Sequence, residues 1–459
     1  MKTDTRNSAV GCIILAAGQG TRMKSYQTKI RIPFFGKPLV EHMIDHLIQS
    51  GIPQPVLVVS PDDYSDLSSL YHQKVILAIQ KEPLGTGDAV KAGLGVLPES
   101  AEYCLIVCGD TPLLSPSTLL HFISSCIKTQ AAAGVITAEI DHPRQYGRII
   151  RDPQGEFQQI TEYKDATEQQ RKIQEVNSGV YLFKTDLLRE AISTLSTDNA
   201  AGEYYFTDTL SGLHQRGYRI FTHKMYSEDD MIGINTKMDY AKALQIANQR
   251  YLEELMIEHG VFILDPASTY IESSVTIGKD SVIKPFTYLE GDVTIGEKCQ
   301  IGPFVCMRGT EPILIENEAM VGPFSSLRGG TKLEKDVHIG TFVELKKTKV
   351  GPNSKAMHLS YLGDAEIGSR VNIGAGTITC NYDGLHKFIT RIEDDVFIGS
   401  DTIIVAPLTI HQKSYVAAGS TLTEDVPAYA LALGRARQLN KLDWSKNKSP
   451  LREKDDSKK

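Results

Sequence analysis

A chain of 459 residues, 41% apolar and 23% charged, is too long for one core and has the composition of a soluble globular protein of two domains and a linker. Its formal net charge of −7 excludes a protein that embraces nucleic acid or an anionic membrane, so basic groups at any phosphate-handling site must be local. The seven cysteines (Cys12, Cys104, Cys108, Cys126, Cys299, Cys306 and Cys380) are scattered and lack paired metal spacing, which suits reduced thiols in a cytoplasmic protein. Met1 to Ser8 is short and polar with no apolar segment behind a basic start, and Val10 to Ala17 is too short to span a bilayer, so no membrane insertion is expected.

Gly11 to Ala17 is a continuous apolar run ended by a Gly-rich turn, the pattern of a buried parallel strand. Pro38 to Gln49 has helical spacing, Pro55 to Ser60 reads as a strand, and Gly87 to Leu97 as a helix. Tyr103 to Cys108 is a strand leading into Gly109-Asp110, Leu119 to Thr129 a helix, and Gly134 to Ile140 a strand. This alternation predicts βαβ units on a parallel or mixed sheet, with ligands at the carboxyl ends of strands. Residues 1–236 form this first domain, and 237–259 a connecting helix.

From 260 to 442 the period changes to six. Ile271, Ile277, Ile283, Leu289, Ile295, Ile301 and Met307 form one row, Val321 to Leu345 a second, and Ile392, Ile398, Ile404, Ile410, Val416 and Leu422 a third. Helices repeat near 3.6 residues and strands near 2, so a chain that turns a corner every six residues is the remaining explanation. Three short parallel strands then close one coil, and each inward residue stacks on its equivalent about eighteen residues later. Glycines after the inward residue (Gly278, Gly296, Gly302, Gly322, Gly340, Gly368, Gly374, Gly399) serve corners needing positive φ or close approach. The rhythm slips between Ile373 and Ile392, which predicts a protruding loop around Asn381 to Phe388. Residues 443–459 are a polar tail expected to be mobile.

Two stretches carry chemistry. Leu15-Ala16-Ala17-Gly18-Gln19-Gly20-Thr21-Arg22-Met23 directly follows the first strand, with small residues that let backbone N–H groups crowd around phosphates, and Arg22 and Lys29 add charge. Between Val343 and Asp383 the residues exceed what a repeat needs: Lys346, then Lys355-Ala356-Met357-His358-Leu359-Ser360-Tyr361-Leu362-Gly363-Asp364, then Asn372 to Gly384. Alone, Asp110 would be a strand-end turn residue, Glu162 a solvated charge and His358 a packing residue.

The first stretch, with Gln80, Gly85-Thr86-Gly87 and Cys108-Gly109-Asp110, resembles the sugar-1-phosphate nucleotidyltransferases. With the second, the chain resembles, over nearly its whole length, the bacterial family that joins an N-acetylglucosamine-1-phosphate uridylyltransferase to a glucosamine-1-phosphate acetyltransferase. The resemblance implies an α/β protein, with a Rossmann-like nucleotidyltransferase domain followed by a left-handed parallel β-helix of hexapeptide repeats, the hand being taken from the family. It implies that Leu15, Ala16, Ala17 and Gly18 hold UTP by backbone contacts, that Gln80, Gly85 and Thr86 read the base, and that Arg22 and Lys29 act in catalysis. Asp110 and Asn235 would bind Mg²⁺, and Gly147, Glu162 and Asn177 the acetylated sugar. In the β-helix His358 would be the general base, with Arg328, Lys346, Tyr361 and Asn372 on glucosamine 1-phosphate. Ala375, Asn381, Tyr382, Ser400, Ala418 and Arg435 would meet acetyl-CoA. A homotrimer with acetyltransferase sites between subunits is implied as well. This chain departs from the family pattern at Thr28 and Pro83, where Pro and Gln are usual, at Cys108, where an aromatic is common, and at Met357, where a small residue is usual. Rival readings are a monofunctional nucleotidyltransferase with a structural β-helix, and a non-catalytic scaffold, which would have an eroded Gly-rich loop and no metal-binding Asp.

Overall fold

A computed structural model describes residues 10–225 and 227–445, so the expectations for Met1 to Ser8 and for most of the polar tail lie outside the described residues. The chain divides into two compact units, one ending at Arg250 and the other starting at Tyr251.

In the first unit β1 (Val10–Leu15) is followed by α1 (Leu39–Gln49), β2 (Val56–Val59), α2 (Pro61–Tyr71), β3 (Ile76–Ile79), α3 (Thr86–Leu94), β4 (Tyr103–Cys108), α4 (Pro116–Lys128) and β5 (Ala133–Glu139). Then come β6 (Arg148–Arg151), β7 (Phe157–Thr161), β8 (Glu175–Lys184), α5 (Thr185–Ser193), α6 (Asp208–Gln215) and β9 (Ile220–Lys224), and α7 (Lys237–Ile257) has its first part in this unit and its last residues in the next. The strand order is β9-β5-β8-β4-β1-β2-β3. β1 runs parallel to β2 and β4, whereas β8 runs antiparallel to β4 and β5, so the sheet is mixed.

Burial on both faces explains the unbroken apolar runs. Cys12 and Ile14 join one core with Leu57, Leu105 and Val107, while Ile13 joins another with Val56, Val58, Cys104 and Ile106. Helices α2 and α4 start at Ser60-Pro61 and Ser115-Pro116, each serine accepting a backbone N–H three residues on. The Ser115 cap begins α4 three residues before the apolar spacing predicts. The sequence reading does not mark α2, because only Asp63, Leu67 and Tyr71 of its eleven residues are buried.

The second unit is the expected β-helix. The six-residue rows are buried in one continuous core. Coils pair in parallel, as Val282 with Gln300 and Phe397 with Tyr415 illustrate. One face of the prism carries His338–Thr341, Lys355–His358, Asn372–Ile373 and Phe397–Ile398; a second carries Ser326–Arg328, Glu344–Lys346, Tyr361–Gly363 and Ile378–Cys380. A third carries Lys332–Leu333, Lys349–Val350, Ala365–Ile367 and Thr390–Ile392. The predicted loop is present: Tyr382 and Lys387 form an antiparallel bridge, and the Phe388 N–H donates to the Asn381 carbonyl at 2.8 Å.

The corner glycines act mainly through close approach. A Cβ on Gly340 would lie 2.1 Å from the Met357 carbonyl oxygen. At the corner between the first two faces Gly302 and Gly322 take φ 98° and 110°, and Phe286, Phe304, Phe324 and Phe342 are left-handed as well, at φ 55–58°. Their rings stack at 4.7–5.2 Å, so side-chain packing offsets the backbone cost.

Candidate functional site

The first candidate site opens where β1, β2 and β4 end. The Ala16 N–H donates to the Val58 carbonyl and the Gly109 N–H to that of Leu15, both at 2.9 Å, which holds the two loops apart at the carboxyl edge. Between them lies a cleft of about 470 Å³ lined by Leu15, Ala16, Ala17, Gly18, Lys29, Gln80, Gly85, Thr86, Cys108 and Asp110. Ten residues that the motifs single out therefore share one cavity, and Pro83 lines it too.

At its floor the Lys29 ammonium meets the Asp110 carboxylate, with side chains only 12% and 18% exposed. Lys29 also donates to Asn235 Oδ1 at 3.1 Å, and Arg22 donates to the same oxygen at 2.9 Å. Asn235 arrives from far along the chain because the Ile234 N–H donates to the Asp110 carbonyl at 2.9 Å. Among the described residues no group of three or more His, Cys, Asp or Glu could hold a metal by itself. One carboxylate and one carboxamide oxygen, with phosphates and water to complete the shell, is a donor set that suits Mg²⁺. The residues present fit that ion.

Gly85 caps α3 at φ +118°, and a Cβ there would stand 2.7 Å from the backbone N and O of Tyr204. The segment behind it is fastened by Gly87 N–H to the Tyr204 carbonyl (2.8 Å) and Phe206 N–H to Thr86 Oγ1 (3.1 Å). Glu203 from this segment reaches the cleft, a position no motif marks. The buried Gln80 amide donates to the Gly85 carbonyl and to Asp88, both at 3.0 Å, and so shapes the loop.

Gly147, Glu162 and Asn177 also come together. The Asn177 N–H donates to the Gly147 carbonyl at 3.0 Å, and a Cβ on Gly147 would stand 3.4 Å from the Glu162 carboxylate. Burial raises the Glu162 pKa, with Asp208 and Asp165 adding to it against a hydrogen bond from Thr207 at 3.0 Å. Asn177 donates to the Tyr181 hydroxyl at 2.6 Å, so Tyr181 and Thr207 are members of this cluster that the motifs do not mark. Cys108, which lines the cleft, approaches Gly179, and burial pushes its thiol up to about 12, with Asp110 adding. That thiol is a packing group.

The second candidate site lies on the β-helix. Arg328 and Lys346 project from the second face, where Arg328 pairs with Glu344 at 3.3 Å. Lys387, from the inserted hairpin, contacts Lys346 and, followed by Arg328, holds its pKa below the ordinary lysine range. Three cations this close suit a dianion. Lys387 is missed by the motifs, although the slipped rhythm marks its loop. Asp364 anchors the hairpin by accepting from the Asn381 amide and from the Thr390 N–H (3.1 Å). A Cβ on Gly363 would lie 2.5 Å from the Tyr361 hydroxyl, so this glycine makes room for that ring.

His358 stands exposed at the corner joining the first and second faces, beside the exposed Met357; among the described residues its imidazole takes part in no hydrogen bond. Ala375, Ser400, Ala418 and Arg435 follow along that corner. The Asp401 N–H donates to the Ala375 carbonyl (2.7 Å), the Gly419 N–H to that of Ser400 (2.8 Å), and Arg435 Cδ lies 3.9 Å from a Cβ on Gly419. Asn381 and Tyr382 lie at the hairpin instead. Asn372 is not brought beside Arg328: it projects from the first face, between Lys355 and Phe397.

Comparison with known proteins agrees with this division. The family described as "MobA-like NTP transferase domain" matches residues 12–201. "Bacterial transferase hexapeptide (six repeats)" matches 274–309, and "Hexapeptide repeat of succinyl-transferase" matches 389–424. Among curated relatives, the "Bifunctional protein GlmU" of Geobacillus sp. (strain WCH70) is 45% identical over 445 residues, covering 94% of this chain and 96% of that protein. The protein of the same name from Geobacillus thermodenitrificans is 43% identical over the same shares. That of Bacillus subtilis is 40% identical over 95% of this chain and 98% of its own.

Proposed function

The chain belongs to the bifunctional GlmU family, and from that premise we infer that it makes UDP-N-acetylglucosamine in two reactions. The β-helix transfers acetyl from acetyl-CoA to the amine of glucosamine 1-phosphate. The first unit then joins N-acetylglucosamine 1-phosphate to UTP and releases pyrophosphate. One observation carries this reading: the chain holds two separate cationic clusters, Arg22 with Lys29 in the first unit and Arg328, Lys346 and Lys387 in the second.

In uridylyl transfer a sugar phosphate oxygen attacks the α-phosphorus of UTP, forming one P–O bond as the bond to pyrophosphate breaks. Such a reaction needs positioning and charge neutralisation more than a protein nucleophile. Leu15, Ala16, Ala17 and Gly18 offer backbone to the nucleotide, Gln80, Gly85 and Thr86 take the base, and Arg22 and Lys29 neutralise phosphate oxygens. Gly147, Glu162 and Asn177 hold the acetylated sugar. Asp110 and Asn235 would hold Mg²⁺, which supplies further neutralisation of phosphate charge when bound. The Lys29–Asp110 contact supports this, because the carboxylate already takes a cation as partner.

In acetyl transfer the amine attacks the thioester carbonyl, His358 takes the amine proton, and CoA leaves as the thiol. Arg328, Lys346 and Lys387 bind the phosphate; Tyr361 and Asn372 hold the sugar and orient the amine. Ala375, Asn381, Tyr382, Ser400, Ala418 and Arg435 receive acetyl-CoA. Arg328 and Asn372 project from different faces of one prism, which supports a homotrimer whose acetyltransferase sites lie between copies. The free state of all seven cysteines supports a cytoplasmic location.

The test is a paired assay with glucosamine 1-phosphate, acetyl-CoA, UTP and Mg²⁺ that follows CoA thiol and pyrophosphate together. CoA release on which pyrophosphate depends supports the assignment. Pyrophosphate from supplied N-acetylglucosamine 1-phosphate, with no CoA under any condition, contradicts the acetyltransferase half.

A further inference from the structure

We propose that Thr28, acting through Asp63, is a positioning residue for uridylyl transfer, a role that rests on reading Lys29 as a phosphate-binding catalytic group. Lys29–Arg31 is a single 3₁₀ turn. Its four-carbon lysine stem is flexible, so the position of the ammonium depends on how firmly the turn is held. Thr28 opens that turn at φ −61°, ψ 142°, and its carbonyl accepts the Arg31 N–H at 3.0 Å.

The Thr28 hydroxyl makes no cap within its own turn. It donates to Asp63 Oδ1 at 2.8 Å, on the first turn of α2. Asp63 is 4% exposed, and its second oxygen accepts from the Ser60 hydroxyl at 2.8 Å. Among the described residues no cation pairs with this carboxylate, so the two hydroxyls and its buried site fix where Thr28 can sit. Two further contacts hold the same turn: Arg31 pairs with Asp66 of α2 at 2.6 Å, and Ile30 is buried in the core between them. Helix α2, polar and weakly buried, thus serves as a brace behind Lys29.

A proline ring fixes φ near −65°, and Thr28 holds nearly that angle through a hydrogen bond. Among the described residues the Thr28 N–H donates to nothing, so the backbone tolerates either solution.

The experiment measures pyrophosphate release from UTP and N-acetylglucosamine 1-phosphate by the full chain and by Thr28→Val, Thr28→Ser, Thr28→Pro and Asp63→Ala. Small displacements of a reacting group can cost about 10²-fold, and a loosened brace is expected to lower kcat roughly 10-fold in Thr28→Val and Asp63→Ala. The double variant falls no further, because both changes remove one contact. Thr28→Ser and Thr28→Pro stay within about threefold of the parent, the first by keeping the hydroxyl and the second by fixing φ. KM for the sugar is unchanged in all of them, since Thr28 touches no substrate. A Thr28→Val rate equal to the parent's overturns the proposal, as does a Thr28→Ser or Thr28→Pro rate as low as that of Thr28→Val. An inactive parent chain overturns the uridylyltransferase reading itself, and this proposal with it.

Discussion

Lys29 and Asp110 expose 12% and 18% of their side chains, whereas Arg328 and Glu344 on the β-helix expose 49% and 41%. The first pair is enclosed because loops from distant parts of the chain fold over it. The second pair stands on an outward face, because a coil that turns only two residues in six inward, as Ser325 and Leu327 show, leaves the other side chains outside. A long-range fold can complete a binding site within one unit, whereas the acetyltransferase site proposed for the repeat needs a second copy to close it.

Neutralising the carboxylate proposed to hold Mg²⁺ should separate the two regions most sharply. Asp110→Asn is expected to lower pyrophosphate formation about 10³-fold or more, with CoA release retained, as read in the same reaction mixture. His358→Gln is expected to do the converse, cutting CoA release about 10²- to 10⁴-fold while pyrophosphate from supplied acetylated sugar is preserved. Loss of both activities in either variant would mean that the sites are not independent.

Stability contrasts the regions more gently. Leu327 in the β-helix and Ile106 in the sheet are both fully buried. Leu327→Ala should cost about 2–5 kcal/mol and Ile106→Val about 0.5–1.5 kcal/mol, checked by chemical denaturation with probes in each unit. The smallest expected effect concerns Glu162, whose carboxyl is raised above its ordinary pKa by burial. The folded state then binds protons more tightly than the unfolded state, so stability falls as pH rises through the ordinary glutamate range. Glu162→Gln should therefore raise the Tm of the first unit at neutral pH, with the gain vanishing toward about pH 4, while weakening sugar binding. A gain that persists at acid pH would assign the effect to packing.

Much of this was legible in the residues themselves. Rows such as Ile392 to Leu422 report their burial directly, because an inward position every sixth residue has no other cause in a β-helix. The Gly-rich loop and Asp110 are legible for a similar reason, since strand ends on a doubly covered sheet are where backbone faces a ligand. Side chains whose role comes from distant partners were not. Glu203 enters the cleft only because Tyr204 packs against Gly85, and Lys387 joins Lys346 only because the hairpin folds back. The corners show the same limit. Glycine bears positive φ at Gly302 and Gly322 as expected, but Phe286, Phe304, Phe324 and Phe342 take it at the same corner too, where ring stacking between coils compensates.

The contrast between a self-contained and a shared site has a direct test by mixing. Arg328→Ala and Asn372→Ala chains, each deficient in acetyl transfer, are co-expressed and purified as mixed oligomers. Residues from two faces can then meet across an interface, and random assembly restores about a quarter of the sites. Lys29→Ala mixed with Asp110→Ala, whose partners lie within one unit, should regain no pyrophosphate formation. Recovery of CoA release in the first mixture alone is the predicted result. No recovery in the first mixture, or recovery in the second, would contradict the account.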